Sequence, residues 1–441
     1  MTHGEPRELV LGILLNGAGA HPGAWRRDGS RVEEAYRLSL YSDQARWAEG
    51  AALHHLFVAD GPTHDAARFP VRPLRYLEGL TLLAVLAGRT SRIGLIPSLS
   101  TTFNAPHTVA RQLASLDHLS DGRAGWNVVT SFGGAEHFSD APLPAHAVRY
   151  ERATEFLEAV TLLWDGWADD ALVLDRETGR WGDPDRVRAD RYEGEHIALT
   201  GPLNLPRPPQ GRPVIAQAGS SSAGRDLAAR FADVVYTAQP IVAEGRAFYA
   251  DVKARTAAAG RDPRDVLILP GLAPVLGGTE EEARRIAAEL LEYLDHDASR
   301  GQVEFMLGGA DLSALSLDDR IPEAAIPAPD DVDLVRSRYD LFRHLALVEA
   351  LTLRKLIEFA VAGGGHWAPV GAVEQVADLL LERFDGGGAD GFNLLPSHLV
   401  DGFRRLTDEL VPELQSRGRY RTGYVDGTFR DNLGLARPAR V

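Results

Sequence analysis

The sequence predicts an α/β protein that folds as an eight-stranded (β/α)8 barrel, and three observations carry this prediction. Apolar runs of strand length alternate with amphipathic runs of helix length, which indicates a parallel sheet. Eight such strands can be counted, the number that closes this barrel. The chain has 441 residues, so the roughly 250 residues that such a barrel typically needs leave room for insertions.

The predicted strands follow one another along almost the whole chain. They cover residues 9–15, 53–60, 93–100, 123–131, 213–219, 232–238, 266–276 and 391–396. The first, LVLGILL, is apolar throughout, as expected of a strand that is buried on both faces. A doubly wound open sheet is the alternative fold, but the GxGxxG that would follow its first strand is absent.

Helical patterns separate these strands. They cover residues 38–49, 77–86, 106–118, 150–164, 223–231, 245–259, 280–294, 345–361, 373–384 and 400–415. Two stretches break the alternation, approximately 165–211, with a short hairpin at best, and 295–340, with acidic runs and prolines. We expect residues 1–441 to form a single barrel domain with these two insertions, the second of which is a candidate lid over the barrel mouth.

Composition excludes several classes of function. The net charge of −15 makes nucleic acid an unfavourable partner. The chain has no cysteine, which excludes disulfides, thiolate metal sites and a cysteine nucleophile. Without an apolar run of about 18 residues or a visible signal peptide, we expect no membrane span and a cytoplasmic location.

The fourth predicted strand ends in polar residues. It follows a tight turn at Ser120–Gly122 and continues through Asn127 to Thr130 and Ser131. The carboxyl ends of barrel strands face the active site, so a polar strand end there is suited to a ligand. The alternative is an ordinary buried strand that runs into a polar loop.

A second candidate site lies between the fifth strand and its helix, in the stretch GSSSAG at residues 219–224. Small residues let a ligand approach the backbone, and a helix N-terminus offers free N–H groups and positive potential. Gly219, Ser220 and Ser221 therefore form a candidate phosphate cradle, although the serines can equally serve as helix caps. The hydroxyl of Tyr150, at another helix start, can reach the same phosphate or simply pack.

Among the ionisable residues, Asp60 ends the second strand and should cap a helix, pair with an arginine or bind a ligand N–H group, because an unpaired buried carboxylate is costly. His54 and His55 are adjacent, so at most one of them faces the barrel interior. The other histidines are scattered, and neither HxH after the first strand nor HExxH occurs. No metal site is predicted.

The stretch GRAGWNVVTS, preceded by SLDHLSD, resembles the nitrilotriacetate monooxygenase branch of the bacterial luciferase-like flavin monooxygenases, which also includes enzymes for dibenzothiophene sulfone and long alkanes. The likeness extends in order along the chain. It continues in HPGAWR (21–26), LFVAD (56–60), HAVRYERATEFLEAVTLLWDGW (146–167), QAGSSSAGRDLAARFADVVY (217–236) and DGFNLLP (390–396). The resemblance implies a TIM barrel of the luciferase-like type with insertions.

The resemblance also implies an FMNH2-dependent two-component monooxygenase. Reduced FMN, delivered by a separate NAD(P)H:flavin reductase, would react with O2 to give a C4a-(hydro)peroxyflavin that oxygenates a small organic substrate. A homodimer or homotetramer is expected by the same analogy. The alternatives are an F420-dependent oxidoreductase, since other branches of the superfamily use that deazaflavin, and a non-catalytic flavin-binding relative.

Site residues are likewise implied by the resemblance. The flavin ring and ribityl chain would contact Asp60, Ser98, Asn127 and His146. The phosphate would contact Tyr150, Gly219, Ser220 and Ser221. The substrate would contact His21 and Phe57, and the catalytic residues would be His21 and His146. This chain departs from the family pattern with Ala147 after His146, with Phe103 in place of a tyrosine, and with Ser397-His398 in place of a Pro-Gly-Gly loop.

Overall fold

Eight parallel strands close into a barrel in the computed structural model, which describes residues 8–64, 66, 69–71, 73, 77–328 and 336–440. The strands of the described residues are β1 (Val10–Leu14), β2 (His55–Val58), β3 (Gly94–Ser100), β4 (Gly125–Val129), β5 (Leu172–Asp175), β6 (Arg180–Gly182), β7 (Arg191–Glu193), β8 (Ala198–Thr200), β9 (Val214–Gln217), β10 (Val234–Thr237), β11 (Leu267–Leu272), β12 (Val275–Gly277), β13 (Val370–Ala372) and β14 (Gly391–Leu394).

The helices surround the barrel and fill the insertions. They are α1 (Leu38–Gly50), α2 (Gly79–Ala87), α3 (Pro106–Leu119), α4 (His146–Trp164), α5 (Ser222–Phe231), α6 (Val242–Ala258), α7 (Glu280–Glu292), α8 (His296–Met306), α9 (Arg336–Leu347), α10 (Leu353–Gly363), α11 (Val373–Asp385), α12 (Asp401–Arg405), α13 (Val411–Ser416) and α14 (Phe429–Asn432), with a π-helical turn, Leu406–Leu410, between α12 and α13. None of the described helices is both long and apolar enough to cross a lipid bilayer.

The ring of strands runs β1, β2, β3, β4, β9, β10, β11 and β14, and β14 pairs with β1. Gly12 on β1 lies opposite His55 on one side and Asn393 on the other, which shows the closure directly. The predicted (β/α)8 barrel is confirmed. Because all these pairings are parallel, the carboxyl ends of all eight strands lie at one rim.

Several boundaries differ from the sequence prediction. Residues 165–211 contain two hairpins, β5–β6 and β7–β8, instead of one at most. The seventh predicted strand is divided in two: β11 belongs to the barrel, whereas the last predicted residues belong to β12, which pairs with β13 instead. Helix α4 begins at His146, four residues before the predicted start, so the predicted site residue His146 lies in its first turn.

The second insertion is more helical than predicted. Residues 295–340 include α8, which begins after Asp295 because the Asp295 carboxylate accepts a hydrogen bond from the N–H of Ala298. Its buried face, with Val303 and Met306, packs on α10. The acidic and proline-rich composition around α8 hid this apolar spacing. The predicted helix at 345–361 is interrupted, because α10 starts anew at its own cap, Thr352.

The polar C-terminal tail closes the amino-terminal end of the barrel, which the sequence did not indicate. Phe429 of α14 is fully buried in the barrel interior, and a Cβ on Gly94 would lie 2.6 Å from its ring. The next residue, Arg430, donates to both carboxylate oxygens of Asp233, at 3.1 and 2.7 Å. The barrel therefore opens only at its carboxyl rim, as far as the described residues show.

The change Phe429→Ala should lower the free energy of unfolding by about 3–5 kcal/mol, because it leaves a cavity in the barrel floor. Urea denaturation measures this change. The matched variant Trp181→Ala removes an aromatic side chain that is 72% exposed and should stay within about 0.5 kcal/mol of the wild type. Equal losses in the two variants would show that the tail does not pack as described.

Candidate functional site

The turn between β9 and α5 is built around Gly219. A Cβ on this residue would lie 2.6 Å from the hydroxyl of Tyr150 and would also overlap the side-chain amide of Gln217. Only glycine fits this close approach. The turn thus brings Tyr150, near the start of α4, against the start of α5, and these two segments are far apart in sequence.

The N-terminus of α5 lies at this turn, and a side chain from the first turns of α4 reaches it. Ser221 caps α5 by accepting a hydrogen bond from the N–H of Gly224 at 3.1 Å, and its own hydroxyl proton remains free to be donated. Helix α4 begins after Ala145, which has no side chain that could cap it. The Tyr150 hydroxyl, from one turn into α4, reaches this turn, where the N-terminus of α5 offers backbone N–H groups and positive potential, as anion binding requires.

Polar side chains extend this cradle toward β10. The hydroxyl of Ser220 lies 3.3 Å from the hydroxyl of Thr237, and the side-chain amide of Gln239 donates to Thr237 at 3.1 Å. Gln217, with an unpartnered buried Oε1 atom, lies on the other side. The sequence analysis missed Gln217, Thr237 and Gln239, although polar residues at the carboxyl ends of apolar strands were the signal that could have identified them.

The ends of β3 and β4 carry a short relay of hydrogen bonds. The amide nitrogen of Asn127 donates to the hydroxyl of Ser98 at 2.8 Å, and Ser98 donates to the carbonyl oxygen of Val58 at 2.8 Å. The relay fixes the Asn127 amide and leaves its Oδ1 atom buried without a partner. A buried acceptor of this kind is costly unless a ligand N–H group satisfies it.

Asp60, after β2, uses its carboxylate within the protein. One oxygen accepts from the N–H of Gly79, the first residue of α2, at 3.1 Å, and the other accepts from the N–H of Gly61 at 2.7 Å. Burial raises the pKa of Asp60, while these two backbone hydrogen bonds oppose the rise. Helix capping, one of the three predicted roles, is therefore observed.

His146 and Tyr150 share one face of α4, one turn apart. Their ring centroids are 4.8 Å apart, and both side chains are partly exposed. The Tyr150 hydroxyl reaches Gly219, and His146 lies on the same face of α4, one turn closer to the helix N-terminus. The side chain of His146 therefore stands beside the cradle, in the first turn of α4.

His21 lies in the long loop after β1, and it is 5% exposed. Its Nδ1 atom accepts from the N–H of Gly23 at 3.1 Å, so the ring proton must be on Nε2, which is buried without a partner. Burial and, next, the nearby His398 lower the pKa of His21 to about 4. At neutral pH, His21 is a neutral hydrogen-bond donor.

Phe57 lies deeper than the other predicted site residues. Its ring stacks on Tyr236 with centroids 4.5 Å apart, within the apolar cluster of the barrel interior. On the strand, it pairs with Ile96, two residues before Ser98. Phe57 therefore lies below the level of Ser98 and Asn127, and its role toward a substrate stays a prediction.

A cavity of about 320 Å³ is lined by Pro22 and Gly23, the two residues that follow His21, but not by His21 itself. Its walls come from the loop after β1, from the segment around Val71 and from the start of the second insertion. Trp25 and Tyr293 provide its aromatic walls, and Ser299 and Gln302 provide polar groups. The indole N–H of Trp25 donates to the carbonyl oxygen of Val71 at 3.2 Å, which holds two of these segments together.

His55 faces the barrel interior and His54 does not, as their adjacency predicted. The ring of His55 fills the space over Gly12, and its Nε2 atom lies 2.8 Å from the Tyr236 hydroxyl. His54 instead accepts from the N–H of Leu11 at 3.2 Å. Within the parts of the chain that the structure describes, no group of three or more histidine, aspartate or glutamate side chains is placed to hold a metal ion.

The rim therefore gathers the predicted site residues into two groups. One is the phosphate cradle, with Tyr150, Gly219, Ser220 and Ser221, and His146 next to it. The other is the pair Ser98 and Asn127 at the strand ends. His21 and the cavity lie on the side of β1, and Phe57 lies below the rim.

Comparison with known proteins gives one consistent family. The sequence profile of the family described as luciferase-like monooxygenase matches residues 21–390. An N-acetyl-S-(2-succino)cysteine monooxygenase from Bacillus subtilis (strain 168) is 40% identical over 436 residues, 98% of both chains. Nitrilotriacetate monooxygenase component A from Aminobacter aminovorans is 40% identical over 448 residues, 99% of this chain and 98% of that protein. Dibenzothiophene-sulfone monooxygenase from Rhodococcus erythropolis is 40% identical over 374 residues, 82% of this chain and 80% of that protein.

Solved structures agree with these sequence matches. A riboflavin lyase, crystallised with modified FMN and its substrate riboflavin, has a TM-score of 0.85 and 29% identity, over 97% of this chain and 96% of that chain. EDTA monooxygenase from Chelativorans sp. BNC1 has a TM-score of 0.83 and 32% identity, over 98% of this chain and 99% of that chain.

Buried neutral histidines should make this protein sensitive to acid. Burial is the largest cause that lowers the pKa of His21 to about 4, of His55 and His366 to about 3, and of His54 well below the ordinary value of 6.5. The unfolded chain binds these protons below about pH 6.5, so stability is fully present above that pH and is lost as the pH falls toward 4.

Urea denaturation between pH 7.5 and 4.5 should therefore show a falling free energy of unfolding, with about 1.4 kcal/mol for each unit of pKa shift. The variant His55→Asn should reduce the slope of this loss. The matched variant His344→Asn changes a side chain that is 45% exposed and should keep the wild-type slope. A slope that His55→Asn leaves unchanged would mean that folding does not lower the pKa of His55.

Proposed function

The chain belongs to the luciferase-like monooxygenase family and is a flavin-dependent enzyme, and from this premise we propose that it is the oxygenating component of a two-component system that uses reduced FMN. The family resemblance predicted from the sequence is confirmed. We further propose that the cofactor is reduced FMN, that a separate reductase supplies it, and that the residues described below bind it. Residues 1–441 are proposed to form one domain with two insertions.

The observation that carries the proposal is the anion cradle at Gly219. It combines the N-terminus of α5 with the hydroxyls of Tyr150, Ser220 and Ser221, and the absence of a side chain on Gly219 lets Tyr150 approach the turn. This donor set suits a terminal phosphate. The cradle shares the carboxyl rim with Asn127, whose buried Oδ1 atom suits an N–H group of a flavin ring. These features fit the two ends of FMN.

The remaining predicted residues fit around such a ligand. We propose that Ser98 orients Asn127, that His146 meets the ribityl chain or ring from the first turn of α4, and that Asp60 acts chiefly by fixing α2. His21 would offer its Nε2–H group to the substrate or to the reacting oxygen. The apolar interior around Phe57 would form the floor of the site and exclude water.

Reduced flavin would supply the chemistry of O2 activation when it is bound. We also propose that oxygen is transferred to the substrate through the C4a-(hydro)peroxy form of the flavin. The protein residues bind, orient and exclude water. His146 and His21 are the proposed catalytic residues, and His21 serves as a neutral donor, so it can hydrogen-bond a developing negative charge without first losing a proton.

The proposed partners follow from the same premise. A separate NAD(P)H:flavin reductase would deliver reduced FMN, an arrangement that the name "component A" of one relative supports. A homodimer or homotetramer and a cytoplasmic location stay predictions. The substrate is proposed to be a small organic molecule that enters the cavity between the loop after β1 and the second insertion, whose volume of about 320 Å³ suits a compact compound.

A direct assay tests the function. The protein is loaded anaerobically with reduced FMN, mixed with O2, and followed by stopped-flow absorbance; a panel of small organic compounds with a generic flavin reductase is then screened with heavy-isotope O2. We expect bound reduced flavin and one labelled oxygen atom in a product. Failure to bind reduced FMN at micromolar concentration would contradict the proposal, and turnover with F420 without O2 uptake would favour the deazaflavin alternative.

Two substitutions test whether the cradle binds the FMN phosphate. Ser220→Asp should weaken FMN binding by at least tenfold, because it places a negative charge against the phosphate. Tyr150→Phe should cost one hydrogen bond to a charged group, about 1.5–3 kcal/mol at most. Fluorescence titration measures both. The matched variant Thr279→Asp puts the same charge at the N-terminus of α7 and should bind FMN normally. Wild-type affinity in Ser220→Asp would show that the phosphate lies elsewhere.

A further inference from the structure

A pair of serine hydroxyls lies next to the relay of Ser98 and Asn127. Ser98 and Ser100 alternate along β3, so both side chains point to the same side of the strand. The hydroxyl of Ser98 accepts from the Asn127 amide, and the hydroxyl of Ser100 lies 2.7 Å from that of Ser131. Because Ser100 pairs with Val129 at the end of β4, this second contact lies one step closer to the carboxyl rim.

The hydrogen bonds of Ser100 decide which of the two hydroxyls is the donor. The Ser100 oxygen accepts from the backbone N–H groups of Thr102, at 3.1 Å, and Phe103, at 3.2 Å. A serine hydroxyl has two lone pairs and one proton, so these two bonds occupy both lone pairs. Ser100 must therefore donate its proton to the oxygen of Ser131.

This direction leaves the hydroxyl proton of Ser131 available. It has no acceptor among the residues that the structure describes, and the residue is only 6% exposed. A buried hydroxyl donor without an acceptor is unfavourable. The Ser131 hydroxyl therefore needs an acceptor from outside the protein chain.

The backbone at Ser131 is also held in an unfavourable conformation. Its φ is +48°, in the left-handed region that residues other than glycine rarely adopt. The ends of β3 and β4 are tied together just before it, because the N–H of Thr101 donates to Val129 at 2.9 Å and the hydroxyl of Thr102 donates to the carbonyl oxygen of Thr130 at 2.8 Å. Strained residues that are fixed in this way by their neighbours cluster at ligand sites.

The position of Ser131 relates it to both groups of site residues. It follows Asn127 by four residues. The last paired residues of β4 and β9 are Val128 and Gln217, so Ser131 and Gly219 follow two adjacent strand ends by three and two residues. Ser131 thus lies closer to the rim than Asn127 and next to the strand end that carries the cradle. In FMN, the ribityl chain and its hydroxyl groups join the ring to the phosphate.

We propose that Ser131 is a further cofactor-binding residue, whose hydroxyl donates a hydrogen bond to a ribityl oxygen of FMN, and that Ser100 is the positioning residue that orients it. The inference deepens the proposed function and rests on it for the identity of the ligand. Ser131 is not among the site residues that the family resemblance implies.

The two contacts at the ends of β3 and β4 are chemically complementary. Asn127 offers an acceptor, since its amide nitrogen is bound to Ser98, and Ser131 offers a donor, since its oxygen accepts from Ser100. Because both groups are oriented before a ligand arrives, binding costs little side-chain entropy. The matching ligand presents an N–H group and, closer to the rim, an oxygen atom, as the ring and the ribityl chain of FMN do.

Two substitutions at one position separate the hydroxyl group from the backbone. Ser131→Ala removes the hydroxyl and keeps the unfavourable φ, whereas Ser131→Gly removes the hydroxyl and relieves the backbone. Both should weaken FMN binding by about three- to tenfold in a fluorescence titration, the loss expected for one hydrogen bond. Ser131→Gly should unfold at a higher urea concentration than Ser131→Ala. The control Ser115→Ala removes a hydroxyl that bonds within α3, to the carbonyl oxygen of Arg111 at 2.8 Å, and should bind FMN normally.

A crystal structure of the FMN complex shows the contact directly, and we expect the Oγ atom of Ser131 within about 3.2 Å of a ribityl oxygen. Contact with the ring, with the phosphate or with water alone would overturn the inference, as would wild-type affinity in both variants. An affinity that Ser131→Ala loses and Ser131→Gly restores would assign the effect to the backbone and overturn it too. Wild-type protein that binds no FMN would contradict the proposed function together with the inference, whereas normal wild-type binding with unaffected variants contradicts the inference alone.

Discussion

The closure of β14 onto β1 is the constraint on which the rest of the structure depends. Once the eight parallel strands form a ring, all their carboxyl ends lie at one rim. The relay from Asn127 through Ser98 to Val58 exists because adjacent strands reach the rim in register. The cradle at Gly219 exists because the helices that follow β4 and β9 both begin after the carboxyl ends of their strands.

The opposite end of the barrel is closed by a different interaction. Phe429 fills the interior above Gly94, and the ion pair of Arg430 with Asp233 anchors α14 to the start of β10. Asp233 also accepts from the N–H of Ile215 at 2.8 Å, so the pair fixes two strands. A floor sealed in this way leaves the rim as the route to the interior and supports a site from which bulk water is excluded.

The two sides of the rim differ in their electrostatics. The cradle side presents helix N-termini and hydroxyl groups, which suit an anion. The side of β1 presents His21, whose pKa burial lowers to about 4, and an ion-pair network in which Arg27 joins Asp401 to Glu289. Because that network joins loops from three parts of the chain, it also holds the wall of the cavity beside Trp25 in place.

The sequence by itself determined the barrel, because the alternation of strand and helix patterns is a local property of the chain, and eight strands leave few alternatives. It also placed Asn127 and Gly219 at strand ends, since position along a strand is local. The tertiary structure alone decided what Thr237 and Arg430 do, because each acts through a partner distant in sequence. It likewise decided that a polar tail is a barrel floor, since one buried phenylalanine carries no periodicity from which burial could be inferred.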